Sequence, residues 1–137
     1  MTLVLDCSVT MAWLMPDEGD AGVSELLDRV VSDGAVVPRH WRLECANSLI
    51  VAQRRARVDL DFVRAALADL ARLPIITDDE TESRAWLETL DVAHDRQLSA
   101  YDAAYLELAA RRSLPLATLD RRLRTAAEAH GVTVLPE

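Results

Sequence analysis

Asp6, Glu44, Asp102 and Asp120 are the residues of this chain whose types and settings could do chemistry. Asp6 ends the apolar run LVL and is followed at once by Cys7 and Ser8, while Asp120 ends LPLATL just before a helix. Either could serve only as a helix N-cap, because a short oxygen-bearing side chain accepts from the free amides of a first turn. Asp102 is harder to reduce to a cap. Its helical neighbours in LSAYDAAYLELAARR are Leu98, Tyr105, Leu106 and Ala109, an apolar stripe. The carboxylate therefore lies on or beside the core-facing side, with Glu107, Arg111 and Arg112 left to other faces. Glu44 is the only acid in HWRLECANSLIVAQRR, beside Trp41, Cys45 and Ser48, on a helix that reads as well covered. Pairing with an arginine is its alternative role.

A carboxylate on a buried face needs a cation or a hydrogen-bond network. Four of them at spacings of ~5 Å would repel by roughly 3 kcal/mol per pair at an effective dielectric of 20. The whole set would cost on the order of 20 kcal/mol, more than the entire stability of a small domain. Such a cluster requires protonation or divalent cations, and ligands that are all oxygen favour Mg²⁺ or Mn²⁺ over zinc.

The elements that must position these acids follow from apolar spacing and from helix-breaking residues. Strands are expected at Leu3 to Leu5, Ala35 to Val37, Ile75 to Thr77, Leu114 to Leu119 and Val132 to Leu135. Between them, helices are expected over Ser8 to Leu14, Ala21 to Gly34, Trp41 to Ala56, Leu60 to Leu73, Glu80 to His94, Leu98 to Arg112 and Arg121 to His130. Gly34 and Gly131 are placed to end their helices. Short apolar strands alternating with helices predict an α/β fold with a parallel sheet covered on both faces, as one domain over residues 1–137. In such sheets the working site lies beyond the carboxyl ends of the strands, where Asp6 sits.

Composition narrows the possibilities. Half of the 137 residues are hydrophobic and the formal net charge is −8, so neither disorder nor nucleic-acid binding by bulk charge is expected. No apolar run approaches the ~20 residues of a membrane span, and MTLVLDCSV lacks the features of a signal peptide, so a cytoplasmic protein is expected. Cys7 and Cys45 are too few for a disulfide framework and read as core filler. All fifteen basic residues are arginine. The absence of lysine argues against a response-regulator receiver and a haloacid dehalogenase-type phosphatase, whose sites use one.

LVLDCSV, LECANSL, YDAAYLELA and ATLDRRL together resemble the PIN-domain ribonucleases, specifically the VapC-type toxins of toxin–antitoxin pairs, over essentially the whole chain. The resemblance implies a three-layer α/β/α sandwich and a Mg²⁺-dependent endoribonuclease, with Mn²⁺ as the alternative ion. Asp6 and Asp102 would be metal ligands, Glu44 would complete the first site, and Asp120 would support a second ion or orient the attacking water. Ser8 and Thr118 would hydrogen-bond the ligands. An ion so held would supply an activated water for in-line attack on RNA. The resemblance also implies a homodimer and a basic antitoxin, which could lie on Met11, Trp13, Leu14, Met15 and the Val23 to Val31 helix. A catalytically inactive PIN-like interaction module is the alternative. Arg121, Arg122 and Arg124 could reach RNA phosphate, as could Arg39 and Arg42 on a weaker argument. His40, His94 and His130 show no nucleophile to serve, and Trp13, Trp41 and Trp86 read as core or interface residues.

Overall fold

A computed structural model describes residues 1–137. Five parallel strands form one sheet: β1 (Leu3–Leu5), β2 (Ala35–Val37), β3 (Ile75–Thr77), β4 (Leu116–Ala117) and β5 (Val134–Leu135), in the order β3-β2-β1-β4-β5. Eight helices connect and cover it: α1 (Cys7–Leu14), α2 (Ala21–Asp33), α3 (Trp41–Arg54), α4 (Leu60–Leu70), α5 (Thr81–Arg84), α6 (Glu88–Arg96), α7 (Ala100–Arg112) and α8 (Arg121–Ala129). This is the expected α/β class. The chain steps outward from β1 to β3, then returns to lay β4 on the other side of β1. The crevice beyond the ends of β1 and β4 is thus the point where strand order reverses, the preferred position for a site in an open α/β sheet.

Burial explains the middle of the sheet. Leu3, Val4 and Leu5 have no exposed surface, and neither do Leu116 and Ala117, so β1 and β4 are covered on both faces. Against them pack Val30 of α2, Trp41 and Cys45 of α3, Tyr105, Leu106 and Ala109 of α7, and Leu123 and Ala127 of α8, all in the main core. Asp20, Asp59 and Ser99 cap α2, α4 and α7 by accepting from the amides of Val23, Phe62 and Asp102.

The structure differs from the sequence expectation in several places, and β4 and β5 are each shorter than expected. The helix expected over Glu80 to His94 is broken: α5 ends at Arg84 and α6 begins at Glu88, with Leu87 at φ −124°, ψ −90° between them. That backbone cannot continue an α-helical ladder, and it leaves Trp86 89% exposed. The helix expected from Leu98 starts at Ala100, because Gln97 takes a left-handed conformation and Ser99 becomes the cap. Helix α3 is not covered all round: Arg42, Leu43 and Asn47 are exposed. Glu107, assigned to an outer face, is buried, because Arg111 one turn later carries it inward as a pair. Of the surface suggested for an antitoxin, Met15, Val23, Leu26 and Val30 are core, and Trp13 donates its Nε1 proton to the Val23 carbonyl. No helix is long and apolar enough to cross a membrane.

Candidate active site

Asp6 occupies the N-cap position of α1 without acting as a side-chain cap. Its Oδ2 instead accepts from Ser8 Oγ at 2.6 Å and from Thr118 Oγ1 at 2.7 Å. Adjacent parallel strands make this possible. The Asp6 amide donates to the Ala117 carbonyl at 3.0 Å, so the residue after β1 meets the residue after β4. Ser8 Oγ in turn accepts from the Leu119 amide, and Thr118 Oγ1 from the Asp120 amide. These hydroxyls therefore tie both strand ends into one unit. Asp6 is only 5% exposed, and Oδ1 accepts no side-chain or strand hydrogen bond.

Glu44 reaches the same region from the first turn of α3. Its Oε1 accepts from the Tyr105 hydroxyl at 2.6 Å and lies 3.2 Å from His40 Nε2. The same nitrogen lies 3.1 Å from the Tyr101 carbonyl, which can only accept, so Nε2 carries the proton. His40 packs edge-on against both Tyr101 and Tyr105. Glu44 is therefore held by a phenol and an imidazole, not by the arginine considered from sequence. Tyr105 and His40 are the residues that sequence reading missed; the i, i+4 spacing of His40 and Glu44 was the available local signal.

Asp102 sits at the third position of α7, half-buried, with Ser99 capping its amide. Asp120 caps α8, accepting from the Arg122 amide at 3.0 Å, so its ordinary capping role is real. The acids feel one another. Burial first, and the Asp120 charge in opposition to the two hydroxyl donors, push the Asp6 carboxyl above the usual range. Burial, then the charges of Asp120 and Asp6, raise Asp102. Burial raises Glu44 despite the Tyr105 hydroxyl, with Asp6 and Asp102 adding to it.

All four acids thus face one another electrostatically, yet no three of them bring ligand oxygens within 4.8 Å. Without a cation, each is held in its own seat at a separation that spares the repulsion of a tight cluster. The donor set suits a hard divalent ion: it is all oxygen, and no arginine forms an ion pair with any of these four carboxylates. Asp78, Asp79 and Glu80 do bring three carboxylates within 4.8 Å. Two of them already have a cation, since Arg111 bonds both oxygens of Asp78, at 3.1 and 2.7 Å, and Glu80 at 3.2 Å. That group is an ion-pair network, and a metal there would have to displace Arg111.

The structure also sorts the other candidates. Arg124 donates to the carbonyls of Thr118 and Pro136, Arg39 pairs with Glu82, and Arg42 bonds Thr77 and the Ile75 carbonyl. Cys7 and Cys45 are free thiols in the core. The neighbouring Cys7 thiol, and then burial, push Cys45 far up, as fits an unreactive filler.

The profile of the PIN domain family matches residues 3–129. The chain belongs to the PIN domain family. Comparison with curated protein sequences gave no match. Among solved structures, this PIN domain is similar to PAE2754 from Pyrobaculum aerophilum, at 24% identity and a TM-score of 0.72, covering 98% of this chain and 84% of that one. It is similar to FitAcB from Neisseria gonorrhoeae at 20% identity and a TM-score of 0.67, covering 98% and 96%. It is also similar to VapC20 from Mycobacterium tuberculosis, described as a toxin that cleaves the sarcin–ricin loop, at 19% identity and a TM-score of 0.59, covering 90% and 94%. At these identities the likeness is one of fold.

Proposed function

We propose that this PIN domain is a divalent-cation-dependent endoribonuclease, the toxin of a toxin–antitoxin pair. The observation that carries the reading is Asp6: a carboxylate 5% exposed, fixed by two hydroxyls, facing three other acids and no arginine. Burying such a group without a cation is costly, so a cation is the natural partner. Membership of the PIN domain family supports nuclease chemistry, and the fold shared with VapC20 supports the toxin role.

In this reading Asp6 and Asp102 hold Mg²⁺ or Mn²⁺, Glu44 completes the site, and Asp120 supports a second ion or orients water. The bound ion supplies an activated water and neutralises charge on the phosphodiester. The chain's own residues do the positioning. Ser8 and Thr118 fix Asp6 so that Oδ1 points away from their hydrogen bonds, and Tyr105 and His40 fix Glu44. A basic antitoxin as partner of this acidic chain, a homodimer, and a cytoplasmic setting belong to the same proposal.

The test is cleavage of end-labelled total RNA with Mg²⁺ or Mn²⁺, against an EDTA control and Asp102→Ala prepared identically. Cuts absent from both controls are expected. Equal metal binding by wild type and Asp102→Ala, with no cuts from either, would sink the reading.

A further inference from the structure

A groove of about 670 Å³ runs from Asp120 along α8 to Ala129, against the C-terminal end of α6. Asp120 lines it, so the groove and the acidic crevice are continuous. Its other walls include Arg96, Arg121 and Arg122, with Asp95 the only further acid. Three arginines gather in this one groove although the chain's net charge is −8. The arginines that form ion pairs are Arg39, Arg57, Arg84, Arg111 and Arg124. Arg96, Arg121 and Arg122 form none, although acids are abundant.

Arg96 is the most informative of them. Its Nε donates to His130 Nδ1 at 3.2 Å, which anchors a half-buried side chain against the end of α8. Both terminal nitrogens are left without a protein acceptor. A guanidinium held in this way presents a ready fork for a phosphate, because little side-chain freedom remains to be lost on binding. Arg122 is exposed, and its charge already acts on Asp102, so it stands within electrostatic reach of the crevice. By contrast Arg124, next in the same sequence run, is used up on two backbone carbonyls. Other arginines without an ion pair stand singly in the larger cavities, as Arg29, Arg42 and Arg112 do, or line none of them, as with Arg64 and Arg72.

We propose that this groove is a phosphate track for single-stranded RNA, in which Arg96 and Arg122 bind backbone phosphates next to the scissile one. The proposal rests on the nuclease reading and adds the direction in which the strand leaves the site. A cavity of this size receives a nucleotide or two of a single strand, not a duplex. It also bears on the charge problem: the groove that Asp120 shares gathers three arginines without acid partners, which orients a polyanion approaching an acidic protein.

The test measures binding of fluorescein-labelled oligouridylate to the Asp102→Asn chain in Mg²⁺ across a salt series. Arg122→Gln and Arg96→Gln, each added to that chain, are expected to weaken binding by ~10-fold and to flatten the salt slope by ~0.7 apiece. Arg64→Gln should change neither. Arg122→Gln removes an exposed side chain with no protein partner, so its effect is not one of misfolding; matched thermal melts check this. Unchanged affinity and slope in the Arg96→Gln/Arg122→Gln double variant would overturn the track, as would failure of the Asp102→Asn chain to bind the probe at low salt. Metal-dependent cleavage of total RNA by the unsubstituted chain is scored in parallel. If cleavage persists while the track fails, only the track is lost; if cleavage is absent as well, the nuclease reading falls with it.

Discussion

The hydroxyl of Tyr105 shows how closely the candidate site depends on groups that are not acids. Tyr105 has no exposed surface and spends its one donor on Glu44. Tyr105→Phe removes that bond and almost no volume. The fold should survive, while affinity for Mn²⁺, measured by calorimetry, falls by ~10-fold or more, as is usual when a group supporting a metal ligand is lost. Unaltered affinity would remove Tyr105 from the site. Thr118→Val should act in the same direction through Asp6, since it deletes one of two donors to Oδ2. The acids could be singled out from sequence, because strand ends and an interrupted apolar stripe are local patterns, whereas Ser8 and Thr118 followed only from the family resemblance. Tyr105 and His40 could not be assigned the same way. Tyr105 meets Glu44 across 61 positions of sequence, and nothing in the apolar stripe says where its hydroxyl points.

Among the elements, α7 carries the most. It brings Asp102 and Tyr105 to the crevice with one end, and with the other it grips the loop after β3. Arg111 bonds Asp78, Glu80 and Glu107, and Asp78 and Glu107 are buried. Burial favours a neutral Asp78, but the Arg111 hydrogen bonds and charge, with Thr81, outweigh it and hold the carboxyl below its ordinary value. A lowered folded value means stability that is fully present above the unfolded value of 3.8 and lost as pH falls through the folded one. Arg111→Met leaves two buried carboxylates without their cation and should cost about 3–5 kcal/mol in urea unfolding at neutral pH. Its deficit relative to wild type should shrink as pH falls through the lowered Asp78 value, below the ordinary 3.8. A deficit independent of pH would mean that lost packing, not charge, is responsible. The sequence reading placed α7 itself correctly, and failed on Glu107 and on the α5–α6 break. Both failures have one cause: a charged residue paired within the fold, or a loop residue such as Leu87, takes its place from tertiary partners that periodicity does not see.

For the molecule as a whole, strand order makes the two ends of the sequence neighbours. Alternating apolar segments were enough to infer the α/β class, but no local feature fixes β1 between β2 and β4, which places the crevice. If the crevice binds a divalent ion, the folded state alone should hold it, and saturating Mg²⁺ or Mn²⁺ should raise the melting temperature at neutral pH. At a hundredfold excess over the dissociation constant the gain is about 2.7 kcal/mol. Asp102→Ala should lose most of the shift, whereas Arg64→Gln should keep it. An equal shift in Asp102→Ala would place the ion elsewhere.

The hydrogen bond from Thr118 to Asp6 spans 112 positions of the chain. During synthesis Asp6 leaves the ribosome 112 positions before Thr118, whose hydroxyl seats it, and before Asp120 with α8 behind it. A nascent or prematurely terminated chain therefore carries three of the four acids with no assembled crevice. On the nuclease reading proposed above, chains that stop before β4 are expected to be inactive.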